Sequence, residues 1–486
     1  MSPTAVVLER KGGAAPSTEA PVAPRRGRRL GLWIFTVALV ALAASGVNIV
    51  AQVRASGDEP WYLLQGYSIV HFHTVNLARV VSDPHIYRRF LGKMPNDHAF
   101  DFVGNGEQVL AYLPGYGAFV GALDALGGRL LIALTQSVVT ACTAVLVYRE
   151  GLRLFASRAV ALFASAAYLV ALPSVVYAGE LFPTTLACFL IMAAFTLLCR
   201  ALPSARRREL PRLGAVIALI AAVLPWLHVK YAAVSLAITA TALVLLALRY
   251  RCERQDVATR ADVRALWGTA ALVAGAAVLN AAAIALYSHH YFNTWYPQYR
   301  AGNLQAFYRV DFHRVLSLYR QMFFDRSAGL TPWVPYTLLA PVGAIALFRR
   351  SRRAALVALA LTVGLLSAFL SVAFAPYVDQ AFAMPARFTT ETLPLLALCV
   401  AALFALVWPS LRQALWRLRR EGVGGARPGW RAGVAILCLA LLALALWSTL
   451  AGEVSPGLLY PGHHALRLMQ WNPNLVPGWW CGLFQA

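Results

Sequence analysis

Apolar residues along this chain come in long unbroken runs. They do not follow the two-residue or 3.6-residue spacing that marks a half-buried strand or a surface helix. A helix needs roughly 20 apolar residues to cross the hydrocarbon of a bilayer. Runs that reach or approach that length lie at 30–52, 130–148, 158–178, 181–200, 213–227, 230–248, 265–288, 331–348, 354–375, 388–408 and 432–451. They predict an all-α fold, a polytopic membrane helical bundle of about eleven transmembrane helices. A further run, 109–126 (VLAYLPGYGAFVGALDAL), is weakened by Pro114, Gly115, Gly117 and Asp124. It predicts a juxtamembrane or re-entrant helix, with a short span as the alternative.

The polar connections orient these runs. Arg25, Arg26, Arg28 and Arg29 precede the first. Later clusters are Arg149/Arg153/Arg158, Arg200/Arg206/Arg207/Arg208/Arg212, Arg249/Arg251/Arg254/Arg260/Arg264, Arg349/Arg350/Arg352/Arg353, and the stretch from Arg412 to Arg431. Positive charge collects on the cytoplasmic side of membrane proteins, so all six clusters and the N-terminus are expected there. The connections 53–129, 179–180, 228–229, 289–330, 376–387 and the tail 452–486 then face outwards. A span at 109–126 would invert every later loop against its arginines, so that segment belongs to the outer surface. The expected organisation is a disordered cytoplasmic stretch over 1–28, a transmembrane domain over 29–451, and a short extracytoplasmic tail over 452–486. Two long extracytoplasmic loops, 53–129 (helical in part) and 289–330, interrupt the domain. The first run is too long for a cleaved signal sequence and is expected to be retained as a span.

Composition agrees. Of 486 residues 59% are hydrophobic and 13% charged, whereas a soluble domain carries about a quarter charged. The net charge of +22 lies in short clusters between apolar runs, so it reads as loop charge and not as a nucleic-acid surface. Only Lys11, Lys93 and Lys230 are lysines. Arginine-rich, Ala/Leu/Val-rich usage is associated with GC-rich bacterial genomes, which suggests a bacterial inner (plasma) membrane. The seven cysteines show no paired spacing, so neither a disulfide framework nor a zinc site is expected.

The candidate chemistry sits on the outward connections. Asp58 and Glu59 follow the first span, with Pro60 at an expected helix start and Trp61 and Tyr62 beside them. A helix N-terminus stabilises such carboxylates, and an ordinary acidic cap is the plainer alternative. Glu180 occupies a connection of a few residues between two spans. An ionisable group so near hydrocarbon is expensive and therefore a functional candidate, the alternative being a snorkelling or capping carboxylate. His228 and Lys230, in PWLHVKY, place two potential cations where the charge rule disfavours them, as a phosphate site would require. The alternative is a lysine meeting anionic lipid. Arg326, in DRSAGL, and Arg387, in ARF, are further outward cations, and Lys93 lies in the first long loop. No Gly-rich phosphate loop, Ser/His/Asp order or HExxH is present.

In order and placement these segments resemble the GT-C glycosyltransferases. The resemblance rests on the acidic pair after the first span, the YLPG segment, the acidic residue between two outer span ends, LPWLHVKY, DRSAGL and ARFTTETLPLLAL. It is greatest to bacterial members related to the aminoarabinose and dolichyl-phosphate-mannose transferases, and it covers most of residues 30–410. It implies an inverting transfer from a polyprenyl-monophosphate sugar to a lipid or glycan acceptor outside the cytoplasm. Asp58 would be the general base, with Glu59 as its neighbouring alternative and Glu180 at the second acidic position. His228, Lys230, Arg326 and Arg387, with Lys93 and Tyr62 as further contacts, would bind the donor. Monophosphate donors imply no obligatory divalent metal and no other cofactor. The chain departs from the aminoarabinose transferases in having only about 35 residues after the last run. Two alternatives remain: a flippase or transporter of lipid-linked sugars, and a ligase using pyrophosphate-linked glycans.

Overall fold

A computed structural model of the chain describes residues 24–52, 55, 58–91, 107–110, 112–255, 260–295, 312–325, 329–368, 386–387, 389–421 and 429–454. Among the described residues the regular structure is helical, with an isolated antiparallel bridge between Asn76 and Val109. In chain order the main helices are α1 (Pro24–Gln52), α2 (Glu59–Phe72), α3 (Ala78–Ser82), α4 (Pro84–Leu91), α5 (Pro114–Phe155), α6 (Arg158–Leu169), α7 (Leu172–Gly179) and α8 (Thr184–Thr196). There follow α9 (Leu210–Leu227), α10 (Ala232–Gln255), α11 (Arg260–Phe292), α12 (Phe312–Phe324), α13 (Ala340–Arg350), α14 (Arg352–Ser367), α15 (Leu393–Glu421) and α16 (Trp430–Val454).

Eight helical segments among the described residues are long and apolar enough to cross a membrane, and the bent pair α6/α7 makes up to nine. The other two runs expected from the sequence, 331–348 and 354–375, overlap α13 and α14, which fall short of that length. Eleven crossings therefore stays an expectation. At the 56° bend between α6 and α7, neighbouring helices satisfy the backbone carbonyls that the break releases. Tyr336 OH donates to the Ala167 carbonyl, and Thr449 Oγ1 donates to that of Val170 at 2.7 Å. A broken helix inside a membrane persists only with such compensation.

The 42 residues of α5 are not one rod. An unbroken helix would hold residues 116 and 136 about 30 Å apart, yet Gln136 Nε2 donates to Tyr116 OH at 3.2 Å. The chain reverses at Gly127–Gly128, where Gly128 takes φ +65°, a conformation open to glycine at no steric cost. The first arm, 114–126, rises only about 20 Å, less than the hydrocarbon thickness. It packs on α2 so closely that a Cβ on Gly66 would lie 2.5 Å from Gly121 Cα. The segment that interrupted the topological pattern is thus the short arm of a helical hairpin.

The two ends of the bundle differ in chemistry. At one end the arginine-rich turns hold each other: Arg350 Nε donates to the Leu154 carbonyl at 2.9 Å, and Arg249 Nη1 to that of Leu202 at 3.0 Å. Arg207 lies 3.9 Å from Asp262 there. At the other end, α2, the α7–α8 turn, the α9–α10 turn and the start of α15 converge.

Candidate functional site

Asp58 is the N-cap residue of α2, and its carbonyl accepts from the Trp61 and Tyr62 amides at 3.1 and 3.2 Å. Its side chain makes no capping bond. The carboxylate is ion-paired instead with Arg387, both side chains being 14% exposed. Arg387 comes from a tight turn before α15. Ala386 adopts φ +57°, and its carbonyl accepts the Thr389 and Thr390 amides at 2.9 and 3.0 Å. The guanidinium also lies over the Phe182 ring, 4.7 Å from its centroid. Segments 329 positions apart in the chain are thereby held together, and the acidic cap expected as the plainer alternative is not formed.

Glu59 and Glu180 are both buried, and their surroundings set them apart. Glu59 Oε1 accepts the Leu181 amide at 2.7 Å. Both carboxyl oxygens of Glu180 are buried without a hydrogen-bond partner among the described residues. Loss of water, and secondarily the nearby Glu59 charge, push the Glu180 carboxyl well above the usual carboxylate range, against the opposing effects of Arg387 and Arg129. Gln136 Nε2 donates to the Glu180 carbonyl and fixes the turn. Glu180 ends α7, whereas α8 is capped by Pro183, so it does not cap the next span.

Lys230 is buried, and its Nζ lies 2.7 Å from Glu391 Oε1, with the two side chains 8% and 2% exposed. Tyr231 OH donates to the same oxygen at 2.5 Å. The lysine is therefore held inside the bundle and not displayed on its lipid-facing surface. His228 Nδ1 accepts the Lys230 amide at 3.1 Å, so the neutral ring carries its proton on Nε2. Burial, then the Lys230 and Arg387 charges, hold this imidazole well below its ordinary range. Its ring lies tilted against Tyr112, centroids 5.9 Å apart, and Tyr112 lies tilted in turn against Tyr62 at 5.3 Å. Tyr62 is fully buried, packed against Tyr112 and edge-on to Tyr116.

Of the residues expected from the sequence, Asp58, Glu59, Tyr62, Glu180, His228, Lys230 and Arg387 come together at one end. Lys93 and Arg326 lie outside the described residues. Glu391 was not singled out, although it opens the run 388–408, and an acid inside an apolar run is the signal that marked Glu180. Arg129 and Gln136 were missed as well, because only the hairpin in α5 brings them to Glu180. Among the described residues no three His, Cys, Asp or Glu side chains cluster as metal ligands would. The arrangement gathers one buried and one half-buried cation, the carboxyl side chains of Asp58, Glu59, Glu180 and Glu391, and an imidazole whose Nδ1 is an acceptor.

No protein-family model and no curated protein matches the chain. Its structure is similar to the crystal structure of ArnT from Cupriavidus metallidurans bound to undecaprenyl phosphate. The similarity covers 93% of this chain and 75% of that one, at 13% identity and a TM-score of 0.46.

Proposed function

We propose that the chain is an inverting, membrane-embedded glycosyltransferase. It takes a sugar from a polyprenyl monophosphate and passes it to a lipid or glycan acceptor on the extracytoplasmic face of a bacterial inner membrane. The observation that carries this reading is the meeting of Asp58–Arg387 and Lys230–Glu391 at the bundle end opposite the arginine turns. The charge rule assigns arginine-rich turns to the cytoplasm, which supports an outward-facing site. A transporter would spread its ionisable groups towards the bilayer midplane.

Asp58 accepts the proton of the acceptor hydroxyl as its oxygen attacks the anomeric carbon, and the bond from that carbon to the phosphate oxygen breaks with inversion. Arg387 orients the Asp58 carboxylate before the donor arrives and shares its donors with the phosphate afterwards. Lys230 and the Nε2–H of His228 add to the positive field around the leaving group, whose charge grows in the transition state. Because these protein cations carry that charge, no metal is invoked. Glu180, whose carboxyl oxygens have no partner among the described residues, is placed to hydrogen-bond a sugar hydroxyl. Lys93 and Arg326 remain further candidates for the donor phosphate. The test is to incubate the purified protein with radiolabelled decaprenyl- or undecaprenyl-phosphate sugars and a membrane extract. Label should move to an extract component and free the lipid monophosphate; label that stays on the donor with every sugar would refute the proposal.

A further inference from the structure

At the arginine end, away from the site above, a cavity of about 260 Å³ opens between α15 and α16. Ser410, Gln413 and Arg417 line it from α15, and Trp430 and Arg431 from α16. Each of these side chains offers an N–H or O–H donor, and among the described residues no carboxylate lines the cavity. Donors of this kind, two of them guanidinium groups, match a phosphate, which guanidinium binds through paired hydrogen bonds.

The flanks of the cavity say how that phosphate arrives. Leu406 sits one helical turn before Ser410 on the same face of α15, and Leu437 two turns after Trp430 on α16. They are 55% and 46% exposed. Because α15 runs towards the arginine end and α16 runs back from it, both leucines extend from the cavity towards the middle of the membrane. Trp430, 73% exposed, stands at the mouth, where indole rings favour the boundary between headgroups and acyl chains. Polar donors capped by a boundary tryptophan and continued by an outward apolar track suit a lipid more than a soluble ion.

From this we infer that the α15–α16 cavity binds the phosphate headgroup of an anionic phospholipid from the leaflet at the arginine end, with its acyl chains along Leu406 and Leu437. Arg417 and Arg431 grip the phosphate, and Ser410 and Gln413 supply neutral donors.

The full chain, delipidated in a neutral detergent, is titrated with phosphatidylglycerol or with phosphatidylcholine of the same acyl chains, and bound lipid is counted by native mass spectrometry. The first phosphatidylglycerol should bind roughly tenfold or more tighter than phosphatidylcholine, since each of the two arginines near an anionic headgroup contributes about a fivefold factor. The preference should vanish in Arg417→Gln/Arg431→Gln and also in Ser410→Trp, which fills the cavity without altering charge. Sugar-transfer activity in detergent should be unchanged in these variants, because the cavity lies at the far end of the bundle. Equal affinity for the two lipids, or a preference that survives in both variants, overturns the inference. Inorganic phosphate displacing phosphatidylglycerol at millimolar concentration would do so as well, by pointing to a site for a free anion.

Discussion

Replacing Lys230 with methionine leaves Glu391 buried without its cation, and the structure sets the size of the effect. At 2.7 Å and an effective dielectric of about 20, two unit charges attract by about 6 kcal/mol. Removing both from water offsets much of that, so the pair itself stabilises far less than its attraction. Removing one partner is costly because the other charge remains in the dry interior, typically by about 3–5 kcal/mol. Tyr231 OH still donates to Glu391, which places Lys230→Met in the lower part of that range. Glu391→Gln strands the lysine by the same logic, while its amide oxygen can still accept from Tyr231. The double variant Lys230→Met/Glu391→Gln removes both charges and should recover most of the loss, giving a coupling above about 2 kcal/mol. SDS-induced unfolding in mixed micelles reads all four proteins. Single variants within about 0.5 kcal/mol of the parent, or losses that simply add in the double, would refute the claim that this is a dry, coupled pair.

Glu180→Gln should flatten the pH dependence of stability. A carboxyl raised in the folded state binds more protons folded than unfolded, so the parent loses stability as pH rises from about 4.3 towards the folded value. The amide has nothing to titrate; melting midpoints that fall equally in parent and variant as pH rises above about 4.3 would contradict this. His228, held low by burial, should have the opposite sign: its contribution is lost as pH falls below about 6.5, and His228→Gln should remove that acid-side loss from the melting curve. Gly66→Ala would set a Cβ 2.5 Å from Gly121 Cα and should cost about 1–3 kcal/mol by overpacking. Gly275→Ala, with nothing within 4 Å of the new Cβ, should instead be neutral or gain up to about 1 kcal/mol, and unfolding midpoints compare the two directly.

How far the residues announced this arrangement differs from one element to another. Transmembrane helices were legible because lipid demands long apolar runs, and arginines gave each turn a side; Arg350, Arg249 and Arg207 do gather at one end. The arm 114–126 was legible only through conflict: its hydropathy suggested a span and the arginines forbade one. The glycine that resolves the conflict, Gly128, is an unremarkable letter in the text. Asp58, Glu180, Lys230 and Arg387 stood out because charge near hydrocarbon is rare. Their pairing was not visible, since Asp58 and Arg387 are 329 positions apart and nothing local encodes the contact. Glu391 was legible by the same rule as Glu180 but was hidden among the threonines of TTET. Arg129 and Gln136 had no local signal, because their proximity to Glu180 depends on the hairpin.

In the proposed mechanism Asp58 takes the acceptor's proton during transfer from a polyprenyl-phosphate sugar. Single-turnover transfer by Asp58→Asn tests it most directly, with Glu59→Gln beside it as a neighbouring carboxylate that binds the Leu181 amide. Removing a general base costs about 10²–10⁴ in rate. Asp58→Asn should lose that much while still binding the donor, and Glu59→Gln should lose much less. Transfer by Asp58→Asn at the parent's rate would contradict the account.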